Sequence, residues 1–240
     1  MLKLIVADFD GTLMQYGEKC VSDRVINKIK EYLDNGIHFA VASGRTYSEL
    51  SALLKEISDM IYFIADDGAL IMKNNEIIFK RPFGNGSIKR IFDDADLIGA
   101  AFYSLDTVYQ YKDCNFSTLG KTPKKVEHTF QITDDIFKVT ASVASRTFAN
   151  CEYYRIHYNG EGYAELVQPY ANKGMALSYL QLHLSISKFE TVAIGDAGND
   201  VPMMKYASES ICIGNRSENL AKCCKHKFGD IVSAFEFVKK

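Results

Sequence analysis

The chain has 240 residues, of which 47% are apolar and 24% are charged, and its formal net charge is −2. This composition is typical of a folded globular protein and excludes an intrinsically disordered chain. Because basic residues are not in excess we predict no nucleic-acid partner, and because no apolar run reaches about 18 residues we predict no membrane span.

The apolar run at residues 2–7 is too short for a signal peptide, so we expect a cytoplasmic protein. The six cysteines are irregularly spaced, which favours reduced thiols over a disulfide framework.

Short apolar runs alternate with helix-like segments in the first part of the chain. Continuous apolar runs predict buried strands at residues 4–7, 39–42 and 61–65. Helices are predicted between them, the first capped by Ser22 and the second at about residues 47–55. This βαβαβ order predicts a parallel sheet with helices on its faces.

The pattern changes after a predicted β-hairpin at residues 69–79. Residues 82–167 mix short strands with less regular helical stretches, which predicts an inserted α+β domain. A helix at residues 173–184 and strands at 191–194 and 210–213 then restore the first pattern. The predicted fold is therefore α/β, a Rossmann-like parallel-sheet core formed by residues 1–81 and 168–240 around that insert.

Polar residues follow three predicted strands and open one helix. They are Asp8-Phe9-Asp10-Gly11-Thr12, Ser43-Gly44-Arg45, Lys173, and Gly195-Asp196-Ala197-Gly198-Asn199-Asp200. Ligands of an open parallel sheet bind at the carboxyl ends of its strands, where the strand order switches. We therefore expect these segments to converge although they are far apart in the sequence.

Such a site would bring together four carboxylates that repel one another unless a cation binds, namely those of Asp8, Asp10, Asp196 and Asp200. A set of oxygen ligands beside a phosphate suits Mg²⁺. Lys173 adds a positive charge, while Ser43 and the backbone amides near Gly11 and Gly44 can donate hydrogen bonds to phosphate oxygens. The combination predicts a phosphoryl-transfer site.

The first two carboxylates can divide the chemistry because side chains at i and i+2 of a strand end lie on one side. Asp8 can attack the phosphorus atom as a nucleophile. Asp10 can protonate the leaving oxygen and later deprotonate the hydrolytic water.

The segment Asp8-Phe9-Asp10-Gly11-Thr12-Leu13 resembles the first motif of the haloacid dehalogenase (HAD) superfamily. Ser43, Lys173 and the segment at residues 195–200 resemble its second, third and fourth motifs, in the same order. With the insert between the second and third motifs, the chain is similar to the Cof-type, class IIB-capped sugar-phosphate phosphatases.

The resemblance implies a role for each matched residue. Asp8 is nucleophile and metal ligand, Asp10 is the general acid/base whose backbone carbonyl binds Mg²⁺, Asp196 is the third ligand, and Asp200 lies in the outer shell. The residues expected to hold the phosphoryl group are Gly11, Thr12, Ser43, Gly44, Lys173 and Asn199. The insert would be a class IIB cap that closes over the leaving group of a small phosphorylated substrate and excludes water.

Two features leave alternatives open. Where relatives usually read Asn-Gly-Ala this chain reads Asp67-Gly68-Ala69, preceded by Asp66, and we interpret both aspartates as turn and hinge residues. Arg45 either binds substrate or ties the second helix to a hinge. The alternative functions are a phosphomutase or phosphotransferase on the same scaffold and a non-catalytic sensor of a phosphorylated ligand, and the sequence does not indicate an oligomeric state.

Overall fold

The computed structural model describes residues 1–94, 97–112, 114, 116, 120–144, 150–158 and 162–238. The chain divides into two compact units, Met1–Lys80 with Asn172–Lys240, and Arg81–Ala171. The first unit is built on a largely parallel sheet with helices and the second on a largely antiparallel sheet, so the predicted α/β fold class with an inserted α+β domain is confirmed.

The strands, numbered along the chain, are β1 (Leu4–Asp8), β2 (His38–Ala42), β3 (Tyr62–Ala65), β4 (Leu70–Lys73), β5 (Glu76–Lys80), β6 (Leu97–Tyr103), β7 (Val108–Tyr111), β8 (Lys124–Val126), β9 (Lys138–Val143), β10 (Arg155–Tyr158), β11 (Tyr163–Val167), β12 (Thr191–Gly195), β13 (Glu209–Ile213) and β14 (His226–Phe228). The α-helices are α1 (Asp23–Asp34), α2 (Tyr47–Leu53), α3 (Asn85–Phe92), α4 (Lys173–Leu184), α5 (Val201–Met204), α6 (Glu218–Cys223) and α7 (Ile231–Val238).

The sheet of the first unit has the strand order β14-β13-β12-β1-β2-β3-β4-β5. Strands β14 to β3 in this order pair in parallel, and β4 and β5 extend the edge as an antiparallel hairpin. The strand order switches at β1, because β2 lies on one side of it and β12 on the other. The carboxyl ends of these three strands therefore lie where such sheets usually bind ligands.

The burial of the strands explains why their sequences are continuous apolar runs. Every residue of β1 is buried, as expected for a strand whose two faces are both covered. Helix α1 instead buries only one face, with Val25, Ile26 and Ile29 inside. This helix begins after Ser22 as predicted, but the Ser22 side chain makes no capping hydrogen bond, so the prediction of a side-chain cap is wrong.

The predicted hairpin is present, with its turn at Asn74 and Asn75. Both residues have positive φ angles, 49° and 62°. Two-residue hairpin loops that match the strand twist need positive φ at both central positions, and asparagine tolerates that conformation better than most residues.

The second unit contains a six-stranded sheet in the order β10-β11-β9-β6-β7-β8. Its strands are antiparallel except for the parallel pair β7 and β8. Its own core includes Phe102, Tyr109 and Tyr154, which are almost fully buried, together with Ile91 of α3. No helix in the described parts of the chain is long and apolar enough to span a membrane. None of the six cysteines, all of which lie in the described ranges, forms a disulfide.

Candidate active site

Three predicted site segments meet at the switch point of the parallel sheet. Asp8 is the last residue of β1, while Ser43 and Asp196 directly follow β2 and β12, the two neighbours of β1. Lys173 is the first residue of α4 and reaches Asp8. All four side chains are buried, so the sheet order brings residues from both ends of the sequence into one enclosed cluster.

A tight turn follows Asp8, and Gly11 in this turn lies close to Asp196 in the loop after β12. Gly11 has a φ of +87°, and its backbone N–H donates to the Met14 carbonyl oxygen at 2.7 Å. A Cβ atom at this position would lie 2.4 Å from Asp196 Oδ2. Glycine is therefore required here both by the backbone conformation and by the close approach of a carboxylate.

A buried lysine joins two of the carboxylates. Lys173 Nζ donates to Asp8 Oδ1 at 2.5 Å and to Asp200 Oδ1 at 2.7 Å, and its side chain is only 1% exposed. Burial alone would lower the pKa of Lys173, but the carboxylates of Asp200 and Asp8 outweigh it and raise the pKa above its ordinary value. The two carboxylates therefore favour the charged ammonium form of Lys173.

The carboxyl group of Asp8 is under opposing influences. Burial raises its pKa to about 8, although Lys173 opposes the shift. Burial also raises the pKa of Asp196. A second positive charge close to the oxygens of Asp8 and Asp196 would lower both pKa values and favour the ionised carboxylates.

Asp200 organises the loop that carries Asp196. Its Oδ2 atom accepts hydrogen bonds from the backbone N–H groups of Asp196 at 3.0 Å and Ala197 at 2.9 Å. Its Oδ1 atom accepts from Lys173. Because both oxygens already have hydrogen-bond donors, Asp200 is suited to hold the loop and the lysine in place rather than to bind a cation itself.

The geometry leaves specific oxygen atoms free to bind a cation. Asp8, Asp196 and Asp200 each offer a carboxylate oxygen, and these three oxygens lie within 4.8 Å of one another. Among the described residues, nothing donates a hydrogen bond to the buried atoms Asp8 Oδ2 and Asp196 Oδ1. Buried carboxylate oxygens without partners are costly unless a cation binds them, so the residues present fit a Mg²⁺ ion.

Asp10 is held by a cation of the chain itself. Arg45 Nε and Nη2 donate to Asp10 Oδ2 and Oδ1 at 2.8 and 2.7 Å. The Arg45 guanidinium also lies 5.5 Å from the centre of the Phe9 ring. This bidentate contact fixes the direction of the Asp10 carboxylate. The two roles considered from the sequence were substrate binding and a tie between the second helix and a hinge, so this contact of Arg45 was not predicted.

The predicted phosphate-binding hydroxyls are buried near the nucleophile. Ser43 Oγ accepts a hydrogen bond from the Arg45 N–H at 3.1 Å, which leaves its own proton available to a ligand. Thr12 Oγ1 is buried, and it has no hydrogen-bond partner among the residues that the structure describes. Gly44 lies between Ser43 and Arg45 in the loop after β2, whereas the Gly11 N–H is used inside its own turn.

The turn after β3 contributes to the same region. Asp66 and Asp67 have positive φ angles, 50° and 52°, which non-glycine residues rarely adopt. Asp67 is buried, and its Oδ1 atom accepts from Asn199 Nδ2 at 3.2 Å. The interpretation as turn residues is thus only part of their role, because Asp67 fixes the amide of a predicted phosphate-binding residue.

Sequence reasoning missed Tyr16 and Arg216. The Tyr16 hydroxyl donates to the Asp10 carbonyl oxygen and to Asp196 Oδ2, each at 2.9 Å. The Arg216 guanidinium lies 4.3 Å from the centre of the Tyr16 ring. The only signal in the sequence was an aromatic residue in a polar loop four positions after the first motif-like turn, which is too common to indicate a site.

A Rossmann-like core with buried carboxylates and a lysine at its switch point defines a class of phosphoryl-transfer enzymes. Residues 5–231 match the family model of the haloacid dehalogenase-like hydrolases, so the chain belongs to this family. The resemblance stated from the motifs is confirmed, and the chain is a HAD-type phosphatase.

Individual relatives align with this chain over nearly the full length of both proteins. The 5-amino-6-(5-phospho-D-ribitylamino)uracil phosphatase YbjI of Escherichia coli strain K12 is 24% identical over 247 residues, which cover 95% of this chain and 91% of the relative. The phosphoglycolate phosphatase of Methanobrevibacter smithii is 24% identical over 237 residues, with coverage of 94% and 93%. The HAD subclass IIB sugar phosphatase BT4131 has the same fold, with a TM-score of 0.80 at 17% identity over 99% of each chain.

Proposed function

We propose that this protein is a Mg²⁺-dependent phosphatase that hydrolyses small phosphomonoesters, sugar phosphates in particular, through an aspartyl-phosphate intermediate on Asp8. The observation that carries the proposal is the buried cluster at the end of β1. There Lys173 neutralises one oxygen of Asp8, and the other Asp8 oxygen has no hydrogen-bond donor among the described residues. One oxygen of Asp8 is therefore paired with Lys173, and the other is available to a cation.

The cation would be held by Asp8 Oδ2, Asp196 Oδ1 and the backbone carbonyl of Asp10. Both side-chain atoms are buried and lack hydrogen-bond donors among the described residues. When bound, Mg²⁺ neutralises negative charge that develops on the phosphoryl oxygens. Asp200 remains outside this set, because its oxygens are occupied by Lys173 and by two backbone N–H groups.

In the first step, an Asp8 carboxylate oxygen forms a bond to phosphorus while the bond from phosphorus to the leaving oxygen breaks. Asp10 gives a proton to that oxygen, and the alcohol departs. In the second step, Asp10 removes a proton from water, whose oxygen attacks the phosphorus atom. The Asp8–phosphorus bond then breaks, which releases inorganic phosphate and restores both carboxyl groups.

The remaining residues hold the phosphoryl group during both steps. Lys173 supplies a fixed positive charge, and the hydroxyls of Ser43 and Thr12 can donate hydrogen bonds to phosphoryl oxygens. The Gly44 backbone and the Asn199 amide, which Asp67 orients, complete the set. Arg45 acts through Asp10 by fixing the direction of its carboxylate.

The proposed preference for sugar phosphates follows the likeness in fold to a HAD subclass IIB sugar phosphatase. In the same proposal, the insert at residues 82–167 acts as the cap domain that selects the substrate. A phosphotransferase or phosphomutase would pass the phosphoryl group to a sugar hydroxyl, and a sensor would bind the ligand without turnover.

A phosphate-release screen tests the proposal. It compares p-nitrophenyl phosphate, hexose phosphates, nucleotides and cofactor phosphates, each with Mg²⁺ and with a chelator. We expect Mg²⁺-dependent release that Asp8→Asn abolishes with unchanged circular dichroism, whereas Asp23→Asn, at an exposed aspartate of α1, keeps it.

Each alternative has its own result in the same screen. Phosphate transfer to an added sugar in preference to water would support the phosphotransferase. Binding of a sugar phosphate without turnover would support the sensor. Full activity with chelator, or in Asp8→Asn once deamidation is excluded, would contradict the proposed mechanism.

A further inference from the structure

One phenol hydroxyl bridges the two loops that carry the acidic site. Tyr16 Oη lies 2.9 Å from the Asp10 carbonyl oxygen, on the turn after β1, and 2.9 Å from Asp196 Oδ2, on the loop after β12. Its single proton is shared between these two acceptors. The Tyr16 hydroxyl therefore links the two loops directly.

The Tyr16 ring lies close to Arg216 and to Gly11. The Arg216 guanidinium lies 4.3 Å from the ring centre, a distance suited to a cation–π contact. The ring edge also lies close to Gly11, where an added Cβ atom would lie 2.4 Å from Tyr16 Cε2. The hydroxyl is therefore directed at its two partners although the residue is 55% exposed overall.

We propose that Tyr16 is a positioning residue for the divalent cation, because its hydroxyl holds Asp196 by Oδ2 and so keeps Oδ1 of the same carboxylate available for the ion. This inference rests on the metal site of the proposed function. Asp196 Oδ1 is buried and has no hydrogen-bond donor in the described part of the chain, as required of the ligand atom.

The contact to Asp10 is compatible with the same role. A carbonyl oxygen has two lone pairs, so the Asp10 carbonyl can accept from Tyr16 and still offer its second lone pair to a cation. Tyr16 thereby fixes the spacing between two ligands on different loops. Groups that orient metal ligands typically change metal affinity by about 10- to 100-fold when they are removed.

The test is a titration of the metal-free protein with Mn²⁺, in which free Mn²⁺ is measured by electron paramagnetic resonance and Mg²⁺ affinity by competition. Tyr16→Phe removes the hydroxyl but keeps the ring over Arg216. Tyr32→Phe is the matched control in the same unit, because it loses a 2.6 Å hydrogen bond to the Phe235 carbonyl oxygen away from the acidic cluster.

We expect Tyr16→Phe to weaken Mn²⁺ and Mg²⁺ binding by about 10-fold or more with little change in the melting temperature of the metal-free protein. Tyr32→Phe should lower the melting temperature and leave both affinities at the wild-type values. This opposite pattern separates positioning of a ligand from a general contribution to folding.

Two results would overturn the role of Tyr16. Unchanged affinity in Tyr16→Phe would mean that the hydroxyl does not act on the ligands, and tighter binding would mean that it competes with the cation for their oxygens. Failure of the wild-type protein to bind either ion would instead overturn the metal site itself, and the role of Tyr16 with it.

Discussion

The charge balance of the site depends on one residue, Lys173. A buried ammonium group is tolerated only when it is paired, and Lys173 is paired with two aspartates that are equally buried. Removing it would leave Asp8 and Asp200 buried without their counter-charge. Lys173 therefore stabilises the buried carboxylates and, in the proposed mechanism, also the phosphoryl group.

Lys173→Ala should consequently affect both properties. We expect turnover to fall by about two orders of magnitude or more, because a fixed charge at the transition state is lost. Stability should fall by about 3–5 kcal/mol, as for a buried ion pair that loses one partner. Steady-state kinetics and urea denaturation measure the two effects.

Lys222→Ala is the matched control for this variant. Lys222 forms a salt bridge of 2.7 Å with Glu218, but both side chains are largely exposed. Exposed ion pairs contribute little, so neither turnover nor stability should change appreciably. Wild-type turnover in Lys173→Ala would remove this lysine from the reaction.

Part of the site could be predicted from the sequence. The meeting of Asp8, Ser43 and Asp196 followed from the rule that ligands bind at the carboxyl ends of parallel strands. The contacts of Tyr16 and Asp67 could not be predicted, because they depend on the exact path of two turns and on partners more than a hundred residues away. A turn residue and a site residue look alike until those partners are known.

Helix α4 places Lys173 at the site. It begins at Lys173 because Asn172 caps it, with Asn172 Oδ1 accepting from the Met175 N–H at 2.9 Å. The observed bounds of this helix match the predicted ones. The cap fixes where the helix starts and therefore where the lysine side chain begins.

Gly174, the second residue of α4, lies too close to α5 for a larger side chain. Alanine is favoured over glycine in helices by about 1 kcal/mol, but a Cβ atom at Gly174 would lie 2.4 Å from the Pro202 carbonyl oxygen of α5. Overpacking against backbone costs about 1–3 kcal/mol and outweighs the propensity. Gly174→Ala should therefore lower the unfolding free energy and, by displacing Lys173, the turnover.

Gly86→Ala is the control, because Gly86 is likewise the second residue of a helix, α3. An added Cβ atom there would meet only Tyr153 Cε1 at 3.8 Å, an ordinary contact. This variant should be as stable as the wild type or slightly more stable in urea denaturation. Equal stability of both variants would show that α4 and α5 can separate at no cost.

Two short elements near the end of the chain, α6 and β14, could not be predicted from sequence patterns. Strand β14 has only three residues, so no alternation can be recognised, and its pairing with β13 is decided by the sheet. Helix α6 has six residues, fewer than two turns, which is too short for a clear helical period. Tertiary contacts rather than local patterns determine such short elements.

At the scale of the whole molecule, the fold creates one site from distant segments. The chain runs from β1 outward to one edge of the first sheet, then forms the second unit, and returns on the other side of β1. The βαβαβ pattern predicted the first half of this path. The position of β12 beside β1 was expected only because the acidic segments needed to meet.

Thiol reactivity tests the distribution of buried and exposed cysteines across the chain. Cys20, Cys151 and Cys223 are exposed, whereas Cys212 is buried and burial raises the pKa of Cys224 to about 12. The thiolate is the reactive form, so at pH 8 a raised pKa slows alkylation.

Peptide mass spectrometry after brief treatment with iodoacetamide should find the three exposed cysteines modified and Cys212 and Cys224 unmodified. The adjacent pair Cys223 and Cys224 is an internal control, since the two thiols share the same sequence environment. Equal modification of this pair in the folded protein would contradict the described packing of α6.

Locating the phosphorylated residue tests whether Asp8 is the nucleophile. The enzyme would be quenched in acid during turnover of p-nitrophenyl phosphate with Mg²⁺, and then reduced with borohydride, which converts an aspartyl phosphate to homoserine. Peptide mass spectrometry should find homoserine at position 8, with none when chelator replaces Mg²⁺. Phosphate release without homoserine at position 8, or with phosphate bound to another residue, would contradict an aspartyl-phosphate intermediate on Asp8.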